Sequence, residues 1–230
     1  DQLTDVSTRT VEVSSVSELK SATSGTMVGG AQIGSQTTVE VAGTLEDGSD
    51  ASRSKEAIDV TVDGLTITDA DGDDTVTGYR DGGTPTFAIE ADGVTVTDIG
   101  VTHDGNREST NVGQALRIAA SDVTVDSVDI EVSGGANTGV SVITDDTSNT
   151  GVDDIDGVEI VDSEFTLNSA TTGVLVGQQS DGSFGADPVT ITENTFTTAG
   201  DNTAFVVDVD NSVSPSKPGD VLDLDAVAVL

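Results

Sequence analysis

The chain has 230 residues, of which 42 are acidic and only 8 are lysine or arginine, giving a formal charge of −34 at pH 7. The length suffices for one sizeable core or one long array of repeats. The charge argues against nucleic acid and anionic membrane surfaces as partners, because both need a basic binding surface. No apolar run is long enough to insert into a membrane, and the lack of cysteine excludes disulfides and thiolate metal sites.

Strong acidity with few aromatic residues is also typical of disordered chains. Here, however, valine and isoleucine alternate with polar residues in short runs, and this alternation predicts folded β-strands. An acidic, lysine-poor surface on a folded chain resembles the surfaces of proteins from extreme halophiles such as haloarchaea. Concentrated salt shortens the Debye length to about 3 Å and so screens the self-repulsion of such a surface.

The N-terminal part predicts a strand, a helix and a second strand. The first strand lies at 11–13, and the helix at 16–22 has a serine cap and apolar residues on one face. An alternating strand follows at 37–46, and 47–56 is predicted to be a polar loop.

From residue 57 onward one pattern recurs. Strand-like runs lie at 57–62, 87–91, 115–120, 139–144, 173–178 and 204–209, and all but the last are followed by a tight corner, mostly of Asp, Gly or Ser. After each corner comes a second run, beginning at Leu65, Val94, Val123, Val158 and Val189, with spacings of 29, 29, 35 and 31 residues. A unit that returns every 20–50 residues predicts a solenoid, in which each coil buries its apolar face against its neighbours.

The second runs also predict which side chains face the core. A two-residue period places one ladder inside: Ile67, Val96, Val125, Ile160 and Ile191. The alternation then slips by one at a column of Asp69, Asp98, Ser127, Asp162 and Glu193, followed by a column of Ala70, Ile99, Val128, Ser163 and Asn194. A short bend between two strands of one coil explains both columns.

The run VTITENTF (189–196) resembles the coil signature of right-handed parallel β-helices of the pectin-lyase-like superfamily. In that family an inward Asn often stacks in the bend, and Asn194 matches it. The resemblance covers about 55–210 and implies an all-β fold, a right-handed parallel β-helix solenoid with a short N-terminal capping helix. We divide the chain into the N-terminal strand and capping helix leading into the first coil (1–46), the coils (47–210), and a hinge with a C-terminal strand (211–230).

The C-terminal strand allows two interpretations. It can complete the last coil of its own chain, or it can add to the edge of another copy, since an uncovered sheet edge templates pairing. In the second case its apolar residues form the assembly face: Val221, Leu222, Leu224, Val227, Val229 and Leu230.

Catalytic signals are sparse. The resemblance implies that a lyase on this scaffold uses an outward-facing Arg as its base and Asp residues as calcium ligands. The strand pattern predicts that Arg117 faces outward. However, the lyase motifs around the catalytic Arg and the paired-Asp and Gly-His-Gly motifs of polygalacturonases are absent. Other candidate ligand contacts are predicted in loops: Tyr79, Arg80, His103, Arg107 and Phe184.

One acidic segment is a candidate calcium site through Asp69, Asp71, Asp73 and Asp74. It departs from the EF-hand pattern, because Asp74 and Arg80 occupy the positions that require Gly and Glu. A solvated acidic turn is the alternative. No other cofactor is indicated.

Two functions therefore compete. The first is a non-catalytic structural protein of a haloarchaeal cell surface, extracellular filament or virion, whose partners are other copies of itself. The second is a glycan-binding spike, or a polysaccharide lyase or hydrolase, on the same scaffold, with a surface glycan as partner. Few aromatic residues are available as sugar platforms, which weakens the second hypothesis. A piece of a larger surface protein is a third interpretation.

Overall fold

The computed structural model describes residues 9–49, 51–80, 83–105, 113–134, 137–144, 154–168, 172–178, 183–184, 189–199, 205–210, 223–225 and 228–229. The N-terminal elements are β1 (Arg9–Val13), α1 (Val16–Thr23), β2 (Thr37–Val41), β3 (Leu45–Ser49), β4 (Ser52–Arg53) and β5 (Ile58–Val60). The central strands are β6 (Thr66–Asp69), β7 (Thr75–Tyr79), β8 (Phe87–Ile89), β9 (Thr95–Thr97), β10 (Gly100–Asp104), β11 (Gly113–Ile118), β12 (Thr124–Asp126), β13 (Asp129–Ser133) and β14 (Asn137–Thr144). The C-terminal strands are β15 (Asp154–Ile155), β16 (Val158–Val161), β17 (Glu164–Asn168), β18 (Thr172–Gln178), β19 (Ser183–Phe184), β20 (Val189–Thr192), β21 (Thr195–Ala199), β22 (Phe205–Asp210), β23 (Asp223–Asp225) and β24 (Ala228–Val229).

The strands form three long sheets that the chain visits in turn. Sheet 1 has the order β1-β2-β6-β9-β12-β16-β20-β23, sheet 2 the order β24-β21-β17-β13-β10-β7-β3-β4, and sheet 3 the order β22-β18-β14-β11-β8-β5. Every pairing in these sheets is parallel except that of β3 with β4. The predicted all-β fold, a parallel β-helix solenoid with a short N-terminal helix, is confirmed.

Helix α1 lies against the N-terminal end of sheet 3. Ser15 caps it by accepting from the backbone N–H of Glu18, and the Glu18 carboxylate accepts in return from the Ser14 N–H at 3.0 Å. Leu19 and Ala22 are fully buried, and the carbonyl of Thr23 accepts from Thr61 just after β5. The helix therefore covers a sheet edge that is otherwise open to pairing with another chain.

The segment 47–56 is not a simple polar loop as predicted. The end of β3 and the whole of β4 form an antiparallel hairpin there, with Gly48 opposite Arg53. Gly48 has a φ of 92°, and a Cβ on it would lie 2.9 Å from the backbone nitrogen of Ser54. Only glycine fits this turn, and the polar composition hid the strands because one face of the hairpin is exposed.

The predicted core ladder is confirmed. All five of its side chains are fully buried, and they are paired from coil to coil in the order Ile67, Val96, Val125, Ile160 and Ile191. Val39 extends the ladder toward the N-terminus. In sheet 2 the rings of Phe165 and Phe196 stack with centroids 4.4 Å apart.

We expect Val125→Ala to lower the free energy of unfolding by about 1–3 kcal/mol, because burial is lost and the cavity collapses only partly. Urea unfolding in molar salt measures the change. Thr124→Ala, on the outward neighbour in the same strand, is the matched control and should cost less than about 0.5 kcal/mol. Equal losses in the two variants would contradict the assigned register.

The predicted bend column adopts the left-handed conformation, with φ between 50° and 58° at Asp98, Ser127, Asp162 and Glu193. Side chains of the following column close the bend: Asn194 Oδ1 accepts from the Ser163 N–H at 2.9 Å, and Ser163 Oγ accepts from the Val128 N–H at 3.1 Å. These two contacts join the bends at Asn194 and Ser163 to the preceding coil.

The second predicted column, which begins with Ala70 and continues with Ile99, is wrong at its first residue. Gly100 pairs with Thr75, so the residue that corresponds to Ile99 is Asp74 and not Ala70. The turn between β6 and β7 is therefore longer than the other bends. The sequence conceals this insertion because the residues directly after Asp69 resemble the bend of the other coils.

The C-terminal strands pair within their own chain. In sheet 1 β23 lies beside β20, with Leu224 opposite Ile191, and in sheet 2 β24 lies beside β21, with Val229 opposite Phe196. This is the first of the two alternatives predicted for the strand. Val221, Leu222, Val227 and Leu230 lie outside the described residues.

Candidate functional site

A buried ionic cluster occupies the corner between sheets 2 and 3. Arg80 is fully buried, and its Nη1 donates to Asp47 Oδ2 at 2.8 Å and to the carbonyl of Glu56 at 2.7 Å, while Nη2 donates to the carbonyl of Thr86 at 3.1 Å. Lys20 of α1 also contacts Asp47, at 2.9 Å. The cluster thus joins the helix, β3, the segment after β4 and the start of β8.

Charge balance holds this cluster together. Burial by itself raises the pKa of Asp47, but the hydrogen bonds and charges of Lys20 and Arg80 outweigh it and hold the pKa below its usual value. Burial lowers the pKa of Arg80, and the Asp47 carboxylate opposes that effect. An ion pair in such surroundings is costly to break, because one buried charge then lacks its partner.

His103 lies one coil further along the same interior corner. It is fully buried, its Nδ1 lies 3.1 Å from Thr86 Oγ1, and the side chain of Asn137 stands beside the ring. Burial, together with the nearby charge of Arg80, lowers the pKa of His103 to about 3, so the imidazole is neutral at ordinary pH. A Cβ on Gly113 would lie 2.5 Å from Nε2, so glycine is needed there for the ring to fit.

The structure therefore corrects the predicted positions of Arg80 and His103, which were assigned to loops. Both are inward-facing residues that continue the alternation of a strand, after Val76 and Gly78 in one coil and after Val101 in the next. The signal for this placement is the unbroken alternation, and it is easily missed because a charged residue at an inward position imitates the end of a strand. A ligand on the outer surface does not reach either side chain.

The remaining predicted contacts that the structure describes lie on different strands. Arg117 is outward as predicted and partly exposed, and its Nη2 lies 2.6 Å from Glu90 Oε1. Tyr79 ends β7 in an outward, half-buried position. Phe184 lies in β19, and Arg107 lies outside the described residues. Of the described residues, Tyr79 and Arg117 lie on different sheets, in β7 of sheet 2 and β11 of sheet 3.

The predicted calcium segment forms a turn in which Asp69 and Asp74 accept hydrogen bonds from backbone N–H groups. Asp69 accepts from the N–H groups of Gly72 and Asp74, and the buried Asp74 accepts from Gly43 at 2.7 Å and Ala70 at 3.4 Å. Asp71 and Asp73 are exposed. Across the described ranges, no group of three or more His, Asp or Glu side chains is arranged to hold a metal ion. Calcium binding by this segment stays a prediction.

Beside this turn lies a groove of about 540 Å³ on the outer face of sheet 2, which we name the acidic groove. It crosses β7, β10, β13 and β17, so it spans four successive coils, or about 14 Å at the usual strand spacing. Its lining includes seven carboxylates: Asp69, Asp73, Asp74, Asp98, Asp129, Glu131 and Glu164. None of its lining residues is basic or aromatic.

One glycine, Gly100, leaves the space that forms the floor of the acidic groove. Gly100 occupies an outward position between Thr75 and Asp129, where neighbouring coils carry side chains. A Cβ on Gly100 would lie 2.6 Å from Thr75 Oγ1, so the close packing of these strands requires glycine. Thr102 and Thr166 add hydroxyl groups to the acidic wall. The groove can therefore accept hydrogen bonds along its length and donate some through its threonines.

Sequence reasoning named Asp69, Asp73 and Asp74 but missed the rest of the groove. Asp129, Glu131 and Glu164 come from coils more than 50 residues away in the chain. Outward acids occur throughout this chain, so composition does not distinguish those that share a concave surface. Aligning the outward positions of the repeats would have indicated the column of Gly100, Asp129 and Glu164.

No protein-family model matches this chain, and no curated protein matches it. A solved structure of a tailspike protein mutant of E. coli bacteriophage HK620, in complex with a hexasaccharide, aligns with a TM-score of 0.48 and 13% identity over 85% of this chain and 38% of the tailspike chain. An alginate lyase from Paenibacillus sp. str. FPU-7 aligns with a TM-score of 0.35 and 15% identity over 96% of this chain and 97% of the lyase. Similarity at this level concerns the fold, and it does not assign a function to this chain.

Proposed function

We propose that the protein is a non-catalytic β-solenoid that binds an extended, uncharged, hydroxyl-rich glycan in the acidic groove. The observation that carries this proposal is the groove itself, which is concave, continuous over four coils and lined by carboxylates and hydroxyls. Carboxylates accept strong hydrogen bonds from hydroxyl groups. The groove repels polyanionic chains, so uronate polymers are excluded unless cations bridge them.

The positions of the candidate catalytic residues support a binding role. Arg80 and His103 are inside the solenoid, and Arg117 is paired with Glu90. Of the groove acids only Asp74 is buried, and both of its oxygens accept backbone N–H groups. A glycosidase needs one carboxylic acid whose surroundings favour the protonated form. Asp73, Asp98, Asp129, Glu131 and Glu164 of the groove are exposed to solvent.

The experiment is calorimetric titration of the full chain in molar salt with neutral hexasaccharides of glucan, galactan and chitin type, and with oligogalacturonate. We expect binding of at least one neutral chain and none of the uronate. Glu164→Ala should weaken the binding of that neutral chain about tenfold, because a hydrogen bond to a charged group contributes about 1.5 kcal/mol or more.

Glu159→Ala is the matched control for this experiment. Glu159 is exposed in the same coil and carries the same charge, but it lies on sheet 1. Equal effects of the two variants, or no binding of any neutral chain, would overturn the proposal. Release of reducing ends from the bound chain would replace a binding role with a hydrolytic one.

Self-association is a second candidate function. Strands β23 and β24 each pair with one neighbour in their own chain, and within the described residues no other strand covers their second edge. Uncovered edges of parallel sheets favour head-to-tail addition of another copy, which forms filaments when the rotation does not close. A monomer at all concentrations in light scattering of the full chain in molar salt would exclude this role.

A haloarchaeal origin and a location at a cell surface, on an extracellular filament or on a virion are part of the same proposal. Their support is the formal charge of −34 and the exposed binding groove. Over the described ranges, none of the helical structure has the length and apolar character needed to cross a membrane.

A further inference from the structure

The end of the solenoid at α1 differs in composition from the rest of the chain. The longest segment without an acidic residue is 19–39, and Lys20 is its only charged residue. By contrast, residues 57–230 contain 33 acidic residues and only 4 basic ones. Acidic side chains are depleted from the cores of protein–protein interfaces, because their desolvation is costly. The segment is therefore a candidate contact surface wherever it is exposed to solvent.

The second half of this segment covers the end of the core beside α1. Val28 and Ile33 are buried and pack into the apolar core. The Gln36 N–H donates to the carbonyl of Gly64 at 3.0 Å, which fixes the segment to the corner before β6. The opposite side of the segment faces solvent. We name its exposed residues the cap surface: Ser24, Thr26, Met27, Gly29, Gly30, Gln32, Ser35 and Gln36.

Met27 is the main apolar side chain of the cap surface. It is 57% exposed, and no other large apolar side chain of the described residues is exposed. It precedes a tight turn in which the Val28 N–H donates to the Ala31 carbonyl at 3.0 Å and the Ala31 N–H to the Val28 carbonyl at 2.7 Å. Both central residues, Gly29 and Gly30, have a positive φ, as such turns require. Because the turn is preformed, binding through Met27 has a lower entropic cost.

Charged groups surround the cap surface but do not lie within it. The Arg9 guanidinium donates to a carbonyl of the segment at 3.0 Å, and Lys20 is paired with Asp47 at 2.9 Å. Glu18 is held at the start of α1 by the helix cap, and Glu12 is exposed on β1. The border therefore carries both signs of charge, and a contact on the cap surface itself buries no carboxylate.

We propose that the cap surface binds a second copy of this chain, cap to cap, in a dimer with two-fold symmetry. A two-fold interface is self-complementary, so each uncharged cap surface meets another uncharged surface. Contacts between coils would instead bring together the acidic parts of two chains that each carry a formal charge of −34. In the cap-to-cap dimer the two sets of acidic coils extend away from each other, which reduces their repulsion. Met27 of each copy packs against the other copy.

This dimer differs from the head-to-tail filament that the C-terminal edges favour, and it does not depend on glycan binding. A two-fold interface is closed, so association through the cap surface stops at two copies, whereas head-to-tail addition continues with concentration. The mass of the assembly therefore distinguishes the two kinds of association.

Sedimentation equilibrium of the full chain in molar salt, over a concentration series, tests the inference. We expect the natural chain to approach twice the mass of one copy. Met27→Asp should weaken dimerisation about tenfold or more, because an unpaired carboxylate is costly to bury, and Met27→Leu should retain the dimer. Thr197→Asp is the matched control, since it adds the same charge at an exposed position of β21, near the other end of sheet 2.

Crosslinking tests the cap-to-cap geometry directly. The chain has no cysteine, so Met27→Cys supplies a unique thiol. A short bis-maleimide should convert Met27→Cys to a covalent dimer and leave Thr197→Cys monomeric. The inference is overturned by a natural chain that is monomeric at all concentrations, by equal dimerisation of the two Asp variants, or by the lack of a Met27→Cys dimer. Association beyond two copies that is unchanged in Met27→Asp would assign the contact to the C-terminal edges and overturn it as well.

Discussion

The melting temperature of this protein should fall by about 10 °C or more when the salt concentration is lowered from molar to about 0.1 M. The chain has a formal charge of −34, and the fold places like charges next to one another on successive coils. For example, Asp129 is directly opposite Glu164. Like charges on neighbouring strands repel one another, and dilute buffer withdraws the screening that offsets this. Calorimetry or circular dichroism across a KCl series measures the effect.

A charge-reduced variant separates screening from other effects of salt. The triple change Asp129→Asn, Glu131→Gln and Glu164→Gln removes three exposed carboxylates from one face of sheet 2. If repulsion is the cause, this variant should melt higher than the natural chain in dilute buffer and nearly equal to it in molar salt. A melting temperature that does not change with salt in the natural chain would rule out the halophilic interpretation.

Replacing Arg80 with alanine should cost about 3–5 kcal/mol of unfolding free energy, the largest effect that we expect from a single substitution. Arg80 is fully buried and bonds Asp47 and the carbonyls of Glu56 and Thr86. Its removal takes one donor from each of these two carbonyls, which keep the Ser54 hydroxyl and the Ile58 N–H respectively, and leaves the Asp47 carboxylate inside the solenoid with Lys20 but without its buried partner. Urea unfolding in molar salt gives the comparison without adding a charged denaturant.

Arg117→Ala is the control for Arg80→Ala. Arg117 is also ion-paired, to Glu90, but both side chains are 27% exposed, so the loss should be below about 1 kcal/mol. The same loss in both variants would show that the interior cluster contributes no more than a surface pair. Loss of helix signal in Arg80→Ala at intermediate urea would further indicate that Lys20 and Asp47 anchor α1 through this cluster.

The sequence by itself determined the solenoid, because its core is periodic. Inward residues such as Val96 and Val125 repeat with the coil, and one apolar ladder in register is sufficient to fix the stacking. The bends were also predictable, since Asp98 and Ser127 interrupt the alternation at the same place in each coil and adopt a positive φ there. At these positions the local sequence pattern and the pairing between coils favour the same structure, so the pattern of one coil predicts the conformation of the others.

The tertiary structure alone decided the interior ionic cluster and the acidic groove. Arg80 and His103 became core residues because Gly78 and Gly113 leave space and because Asp47, from an earlier coil, supplies the charge. The groove combines side chains of four coils, and only their stacking makes the surface concave. A single repeat contains neither feature, since both depend on contacts between coils, such as that of Arg80 with Asp47, 33 residues earlier in the chain.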